Sequence, residues 1–260
     1  MALADQFDGL LIDLDGVVWL GRDPIPGSAE ALAALAAQGK ELCFVTNNPS
    51  RPPERYAERL REMGVEIGPE RVVTAGMVVA RLAGEAADGG GAFVLGATAL
   101  KEMVAAAGPS LLEGEAGREA DVVVVSGHRG FDYEELLTAK FALDGGAALV
   151  ATSHDPTMPM PGGDWPGTGA VLAAVETASG QQAEIGGKPE QHLFEMALEA
   201  IGRPERVAMI GDRIASDVDG GRGAGLATVL VLSGASSRAD AEAAEPPPDH
   251  VVANLAGLLA

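Results

Sequence analysis

The sequence predicts an α/β fold built on a central parallel sheet, and three observations support that class. Short runs rich in valine, isoleucine and leucine alternate with longer helical patterns. Those short runs are almost continuously apolar, as expected of strands that are covered on both faces. The chain has 260 residues, of which 47% are hydrophobic, so it can bury a sizeable core.

The first strand–helix–strand unit is the clearest part of the pattern. It consists of a strand over 9–14, an alanine- and leucine-rich helix over 28–37 and a strand over 42–45. A charged amphipathic helix is predicted over 52–63. A glycine follows each of these helices, which is typical of a helix C-terminus.

Beyond Thr74 the alternation continues as a second series and then returns to the first. Further strands are predicted over 93–95, 122–125, 148–152, 207–210, 228–232 and, at an edge, 251–252. Further helices are predicted over 133–143, 169–177, 190–201 and 215–224. The proline- and glycine-rich stretch 156–167 is predicted to be a loop, and the tail 239–248 a surface connection.

The charge balance limits the partners. Acidic residues outnumber basic ones 38 to 18, which gives a net charge of −20. Such a protein repels a nucleic-acid backbone, so nucleic-acid binding is not expected. Chemistry on a phosphate would need a local positive site, such as a metal ion together with a lysine.

The cysteine content and the N-terminus indicate a location. The single cysteine, Cys43, lies in an apolar run and is expected to be a core thiol without a disulfide partner. The N-terminus has no basic stretch followed by an apolar one, and no apolar run approaches the roughly 20 residues that span a bilayer. A cytoplasmic protein that does not bind membranes is therefore expected.

Two carboxylates mark the end of the first predicted strand. Asp13 and Asp15 are two residues apart, so both side chains point to one side, and Gly16 permits a sharp turn after them. Ligands of open parallel sheets bind beyond the carboxyl ends of the strands. Ionised carboxylates next to a buried strand are costly unless a cation compensates them, which favours a catalytic pair over two loop caps.

Three more fragments follow predicted strands or loops. The tripeptide 46–48, Thr-Asn-Asn, offers a hydroxyl and amides that suit phosphate oxygens, although it fits a helix cap equally well. Lys188 precedes a helix, where a lone lysine is usually a surface charge but could also offset the charge of a phosphate. Asp212, with Asp217 five residues later, follows an apolar strand and could bind a hard cation.

In this order the four fragments resemble the haloacid dehalogenase superfamily. The finer details, such as the stretch 211–218 and the long insertion between Thr46 and Lys188, are similar to the class IIA branch. That branch contains the NagD-like phosphatases, 4-nitrophenylphosphatases, and phosphoglycolate and pyridoxal phosphatases. The resemblance implies a Rossmann-like core over 1–76 and 185–260, with a large α/β cap domain inserted over 77–184.

The resemblance also implies a mechanism, in which Asp13 attacks phosphorus and forms an aspartyl-phosphate. Asp15 would protonate the leaving alcohol and then take a proton from water. Thr46 and Lys188 complete the catalytic set, and Thr46, Asn47 and Lys188 would bind the phosphate.

A magnesium ion is implied as cofactor. Asp13, the backbone carbonyl of Asp15 and Asp212 would hold it, while Asp217 would orient Lys188 or a water. The substrate would be a small phosphate monoester, and a homodimer is possible by analogy.

In the cap, His154, Asp155 and Trp165 are weak candidates for contacts with the leaving group, and loop or core roles fit them equally well.

A phosphotransferase or phosphomutase of the same superfamily is an alternative function. A non-catalytic phosphoacceptor or binding module, or a structural partner that has lost activity, are others. Because Asp15 supplies the acid that a dehalogenase does not need, it favours phosphoryl transfer.

Overall fold

The computed structural model describes residues 2–158, 160 and 162–260. Positions 159 and 161, within the loop predicted over 156–167, lie outside the described residues. The described strands are β1 (Gly9–Asp13), β2 (Trp19–Leu20), β3 (Asp23–Pro24), β4 (Glu41–Thr46), β5 (Val72–Thr74), β6 (Gly91–Leu95), β7 (Ser110–Leu111), β8 (Val122–Val125), β9 (Ala148–Ala151), β10 (Thr157–Met158), β11 (Trp165–Pro166), β12 (Glu184–Ile185), β13 (Val207–Gly211), β14 (Ala227–Val231) and β15 (His250–Val252).

Helices alternate with these strands along the chain. The α-helices are α1 (Ser28–Ala37), α2 (Pro53–Glu62), α3 (Ala75–Ala87), α4 (Thr98–Ala106), α5 (Tyr133–Asp144), α6 (Thr168–Ser179), α7 (Gln191–Ala200), α8 (Gly220–Gly223) and α9 (Arg238–Ala243). Short 3-10 helices span Leu3–Gln6, Pro69–Arg71, Gly114–Glu119 and Leu255–Leu259, and a π-helical turn spans Ile214–Asp219. Within the described part of the chain, no helix is long and apolar enough to cross a membrane.

The first sheet has the strand order β15-β14-β13-β1-β4-β5, and each adjacent pair is parallel. The chain builds β1, β4 and β5 in one direction and later returns to add β13, β14 and β15 on the other side of β1. This reversal beside β1 creates a crevice at the carboxyl ends of β1, β4 and β13, where ligands of such sheets bind.

The two faces of the first sheet bury separate sets of side chains. Leu10 and Ile12 of β1 lie in one apolar cluster, and Leu11 lies in another, as the alternation of side chains along a strand requires. All five residues of β1 are buried. Helices therefore cover both faces, and the α/β fold with parallel sheets is confirmed.

The second sheet has the order β12-β9-β8-β6-β7 and is also parallel between each adjacent pair. Val78 of α3 and Val124 of β8 belong to the same apolar cluster as Leu11 of the first sheet. A continuous core thus joins the two sheets and fixes the second over one end of the first. The division of the chain at 76/77 and 184/185 stays a prediction.

Several elements differ from the sequence-based expectations. The helices α3 and α4 lie in a stretch for which only strands were predicted. The tail 239–248 lies largely on the surface, as expected, and part of it belongs to α9 (Arg238–Ala243), a helix that was not predicted. A capping box between Ser237 and Asp240 starts this helix, since each residue accepts a hydrogen bond from the backbone N–H of the other.

Candidate active site

The residues singled out from the sequence converge on one cleft. Asp13 ends β1, Thr46 ends β4, and Asp212 directly follows β13. Lys188 lies in the turn before α7. The cleft encloses about 110 Å³, and its lining residues from the first-sheet side include Asp13, Asp15, Thr46, Asn47, Asn48, Lys188 and Asp217.

Lys188 is the cationic centre of this cleft. Its Nζ donates to Asp13 Oδ1 at 2.5 Å and to Asp217 Oδ1 at 2.7 Å. The residue is only 3% exposed. Burial opposes its charge, but the carboxylates of Asp13 and Asp217 outweigh burial and raise the pKa of Lys188. The lysine is therefore an internal cation and not a surface charge.

The Asp13 carboxyl is buried among charges of both signs. Burial raises its pKa well above the usual range, Lys188 opposes that rise, and the neighbouring charges of Asp217 and Asp212 add to it. A carboxylate in this position needs more positive charge than one lysine supplies. A divalent cation would provide it.

Asp217 uses both carboxylate oxygens within the protein. Oδ1 accepts from Lys188, and Oδ2 accepts from the backbone N–H groups of Asp212 at 3.1 Å and Arg213 at 3.0 Å. The π-helical turn Ile214–Asp219 brings the side chain back over its own strand end. This geometry suits a residue that orients Lys188 and the Asp212 backbone.

The two carboxylate oxygens of Asp212 differ in their hydrogen bonding. Oδ2 accepts from the backbone N–H of Ala235 at 2.6 Å. Oδ1 is buried and has no hydrogen-bond partner among the described residues. Burial and the charge of Asp217 raise the pKa of Asp212 to about 6.

The carboxylates of Asp13, Asp212 and Asp217 form a group that could hold a metal ion, with ligand oxygens within 4.8 Å of one another. Buried oxygen ligands without protein donors are what a hard divalent cation requires. Because both oxygens of Asp217 already accept hydrogen bonds, Asp13 and Asp212 fit direct ligation better. These residues therefore fit Mg²⁺.

Two glycines make room for the Asp212 carboxylate. A Cβ at Gly234 would lie 2.0 Å from Asp212 Oδ2, and one at Gly16 would lie 2.3 Å from the same atom. Gly16 also adopts a positive φ of 91°, which side-chain-bearing residues rarely adopt. The Asp212 side chain thus depends on close backbone approach from two loops.

The residues at the end of β4 line the cleft and link it to the second sheet. Thr46 is 2% exposed, and its Oγ1 accepts from the Asn48 N–H at 3.1 Å, which leaves its hydroxyl proton to donate. The Asn47 side chain donates to Asp155 Oδ2 at 2.8 Å and to the Lys188 carbonyl at 3.0 Å, and accepts from the Lys188 N–H at 2.7 Å. One amide thus joins three segments.

Asp15 also lines the cleft, and two neighbouring side chains hold its carboxyl group. Trp19 Nε1 donates to its Oδ1 at 3.0 Å, and Asn48 Nδ2 donates to its Oδ2 at 3.4 Å. Burial raises the pKa of the Asp15 carboxyl, while the hydrogen bonds from Asn48 and Trp19 oppose that rise. A raised pKa favours a group that delivers a proton.

The three cap candidates have different surroundings. Asp155 lines the cleft and contacts Asn47. His154 is exposed, and Trp165 is 38% exposed with the guanidinium of Arg129 4.8 Å from its ring centroid. Neither His154 nor Trp165 is among the described residues that line the cleft.

Several lining residues were not singled out from the sequence. From the second-sheet side they are Ser126, Gly127, Thr157, Met158 and Met160. Ser153, Gly167, Thr168, Arg213 and Ser216, from stretches that belong to the sequence resemblance, also line the cleft. Trp19 and Ala235 were also missed. The available signals were a tryptophan four residues after Asp15 and the Ser126-Gly127 pair directly after β8. Neither signal identifies a contact by itself.

Two family models match the chain. One, described as haloacid dehalogenase-like hydrolase, covers residues 10–110. The other, described as HAD-hydrolase-like, covers 185–258. The two ranges contain Asp13, Lys188 and Asp212.

Similar proteins extend across almost the whole chain. Glycerol-3-phosphate phosphatase from Homo sapiens is 38% identical over 268 residues, covering 92% of this chain and 83% of that protein. Acid sugar phosphatase from Staphylococcus aureus is 32% identical over 251 residues, which is 96% of each chain. The structure of glycerol phosphate phosphatase from Mycobacterium tuberculosis in complex with magnesium has a TM-score of 0.90 and 35% identity, covering 100% of this chain and 78% of that one.

Proposed function

Since the chain belongs to the haloacid dehalogenase-like hydrolases and is a phosphatase of small phosphate monoesters, we propose that it works through an aspartyl-phosphate on Asp13. The observation that carries this proposal is the pairing of Asp13 with the buried Lys188, beside a second carboxylate, Asp212, whose Oδ1 lacks a partner among the described residues. The proposed nucleophile, a buried ammonium group and a carboxylate oxygen that could bind a metal ion thus lie close together.

Mg²⁺ is the cofactor. The residues proposed to hold it are Asp13, the backbone carbonyl of Asp15, and Asp212 through Oδ1. When bound, the ion supplies positive charge that lowers the repulsion between an anionic nucleophile and an anionic ester.

In the first chemical step, a carboxylate oxygen of Asp13 forms a bond to phosphorus as the ester P–O bond breaks. The Asp15 carboxyl delivers its proton to the departing oxygen, which leaves as an alcohol. In the second step, Asp15 takes a proton from a water molecule that attacks phosphorus. The P–O bond to Asp13 breaks, which frees the carboxylate and inorganic phosphate.

Three groups are proposed to hold the phosphoryl oxygens. The Thr46 hydroxyl and the Asn47 backbone N–H provide donors, and the Lys188 ammonium stabilises the negative charge of the transition state. Asp217 keeps Lys188 in place by accepting its second hydrogen bond. Precise placement matters because a fixed donor costs no reorganisation during the reaction.

We propose a small hydroxylated monoester, such as a glycerol or sugar phosphate, as the substrate class. The relatives named for glycerol phosphate and acid sugar phosphatase activity support this. So does the far wall of the cleft, where the hydroxyls of Ser126, Ser153 and Thr168 and the Asp155 carboxylate provide partners for alcohol groups. The enclosed volume of about 110 Å³ suits a small leaving group.

Phosphate release from a panel of monoesters tests the proposal. The assay uses the wild type, Asp13→Asn and Asp212→Asn, each with Mg²⁺ and with a chelator. We expect turnover of glycerol or sugar phosphates that depends on Mg²⁺ and is lost in Asp13→Asn. Transfer of phosphate to an added alcohol without net release would support the phosphotransferase alternative, and stable phosphorylation without turnover the phosphoacceptor one.

A cytoplasmic location and a homodimer also stay predictions. Cell fractionation with an antibody to the chain tests the first. Sedimentation of the purified protein over a range of concentrations tests the second.

A further inference from the structure

Trp19 reaches back from β2 to the carboxyl group of Asp15. Its indole Nε1 donates to Asp15 Oδ1 at 3.0 Å, and the Gly16 N–H donates to the Trp19 carbonyl at 2.7 Å. An indole N–H can only donate, so its preferred partner is an oxygen acceptor such as this carboxyl. The tryptophan and the aspartate are thus held together in one tight turn.

The indole ring is itself fixed by α2. The ring is 1% exposed and stacks on Tyr56 with an interplanar angle of 5° and a centroid separation of 6.4 Å. The guanidinium of Arg59 lies 3.9 Å from the Trp19 ring centroid. Tyr56 and Arg59 are three residues apart and therefore share one face of the helix. A buried ring with these contacts has little freedom to rotate.

The two oxygens of Asp15 are held unequally. The bond from Trp19 to Oδ1 is 3.0 Å, whereas the bond from Asn48 to Oδ2 is 3.4 Å, near the limit of a useful hydrogen bond. Asp15 and Asn48 both line the cleft. The firm bond to Oδ1 therefore sets the orientation of the carboxyl group, and Oδ2 is the oxygen available on the cleft side.

We propose that Trp19 is a positioning residue that holds the Asp15 carboxyl so that Oδ2 can exchange a proton with the leaving-group oxygen. This inference rests on the proposed acid–base role of Asp15. Trp19 touches neither substrate nor reacting atoms and acts through the orientation of the aspartate. Small errors in the placement of a proton donor are costly because proton transfer needs hydrogen-bond geometry.

The role makes a specific prediction about leaving groups. An alkoxide is a poor leaving group and needs a proton as the P–O bond breaks, whereas 4-nitrophenolate leaves readily without one. A misplaced acid therefore slows the first step for glycerol phosphate far more than for 4-nitrophenyl phosphate. A general loss of structure would slow both substrates alike.

The experiment compares kcat/KM for these two substrates in the wild type, Trp19→Phe, Asp15→Asn and Tyr56→Phe. Trp19→Phe keeps an aromatic ring but removes the N–H, and we expect its ratio of alkyl to aryl kcat/KM to fall about 10- to 100-fold. Asp15→Asn should lower the ratio further. Tyr56→Phe keeps the ring beside Trp19 and the indole N–H, and removes the hydroxyl that donates to the Asn48 carbonyl at 2.9 Å. Because the indole N–H and not this hydroxyl holds Asp15 Oδ1, its ratio should match the wild type.

A second replacement guards against misfolding of Trp19→Phe. 3-Benzothienylalanine, introduced at position 19 alone, preserves the bicyclic shape and replaces only the N–H by sulfur. It should reproduce the selective loss on the alkyl substrate.

An unchanged ratio in both position-19 variants, with a selective loss in Asp15→Asn, would overturn the role of Trp19 and leave the function of Asp15 intact. Equal losses on both substrates in Asp15→Asn would overturn the proposed acid role and, with it, this inference.

Discussion

Lys188 Nζ lies 2.5 Å from Asp13 Oδ1, although the two residues are 175 positions apart in the sequence. One belongs to the end of β1 and the other to the turn before α7, so this contact forms only when the chain returns from the second sheet to the first. The pair therefore links completion of the fold to assembly of the site.

Replacing Lys188 by methionine should damage both stability and catalysis. The change leaves Asp13 and Asp217 as buried carboxylates without their cation, and breaking such a pair costs about 3–5 kcal/mol. We expect kcat to fall by about 100-fold or more, because the cation also faces the phosphoryl group. Denaturant unfolding and steady-state kinetics measure the two effects.

Lys140→Met is the control for Lys188→Met. Lys140 pairs with Asp144 on the surface of α5, where removing an ion pair costs under about 1 kcal/mol. Wild-type kcat in Lys188→Met would exclude the proposed role for this lysine.

Stabilisation by Mg²⁺ should increase with pH. Asp212 has a pKa of about 6 in the folded protein against 3.8 in the unfolded chain, so without metal the fold retains a proton that the unfolded chain has lost. The contribution of this group to metal-free stability therefore falls as pH rises from about 4 to 6. Metal binding requires the deprotonated carboxylate, so the Mg²⁺-induced rise in Tm should be larger at pH 7.5 than at pH 5.

Thermal unfolding with Mg²⁺ and with a chelator, across this pH range, measures the difference. In Asp212→Asn the Mg²⁺-induced rise in Tm should be small at both pH values, because one of the proposed metal ligands is gone. A Mg²⁺-induced shift in wild-type Tm that is the same at pH 5 and pH 7.5 would contradict a carboxylate site of this kind.

Gly234→Ala should weaken the metal site without touching a ligand. The new Cβ would lie 2.0 Å from Asp212 Oδ2, so the carboxylate must move. Loss of a partner that orients a ligand typically lowers metal affinity about 10- to 100-fold. The Mg²⁺ concentration for half-maximal activity should rise accordingly.

Gly130→Ala is the matched glycine control. Its new Cβ would lie 3.4 Å from the nearest atom, an ordinary contact in an exposed loop. Its Mg²⁺ requirement should equal that of the wild type. If Gly234→Ala needs no more Mg²⁺ than the wild type, metal binding does not depend on the present position of the Asp212 carboxylate.

The Cys43 thiol should be inert in the folded protein. Its side chain is fully buried, and burial raises its pKa to about 12, so almost no thiolate exists at pH 8. A chromogenic disulfide reagent at pH 8 should therefore react only after denaturation. Rapid reaction of the native protein would show that β4 is not buried as described.

The sequence predicted the positions of strand ends well because the signals are local. An apolar run followed by polar residues identified Asp13, Thr46 and Asp212, and parallel strands bring such ends to one edge. Lys188 lacked that local signal and was identified only by its place in the order of fragments. The residues that hold these groups were harder to find.

Contacts between loops carry little sequence signal. The bond from Asn47 to Asp155 spans 108 positions, and the bond from Ala235 to Asp212 depends on how the loop after β14 turns back. Trp19 was not singled out from the sequence, because its apolar ring, not its N–H, dominates a hydrophobic pattern. The loop conformations determine these contacts, so the sequence alone does not predict them.

Trapping the covalent intermediate tests the central claim most directly. In Asp15→Asn, 4-nitrophenyl phosphate should still phosphorylate the protein, whereas the second step, which needs a base, should be slow. Rapid quenching in acid, followed by peptide mass spectrometry, should find one phosphoryl group on Asp13, and Asp13→Asn should give none. Turnover without a phosphoryl group on Asp13, or with one on another residue, would contradict the proposed mechanism.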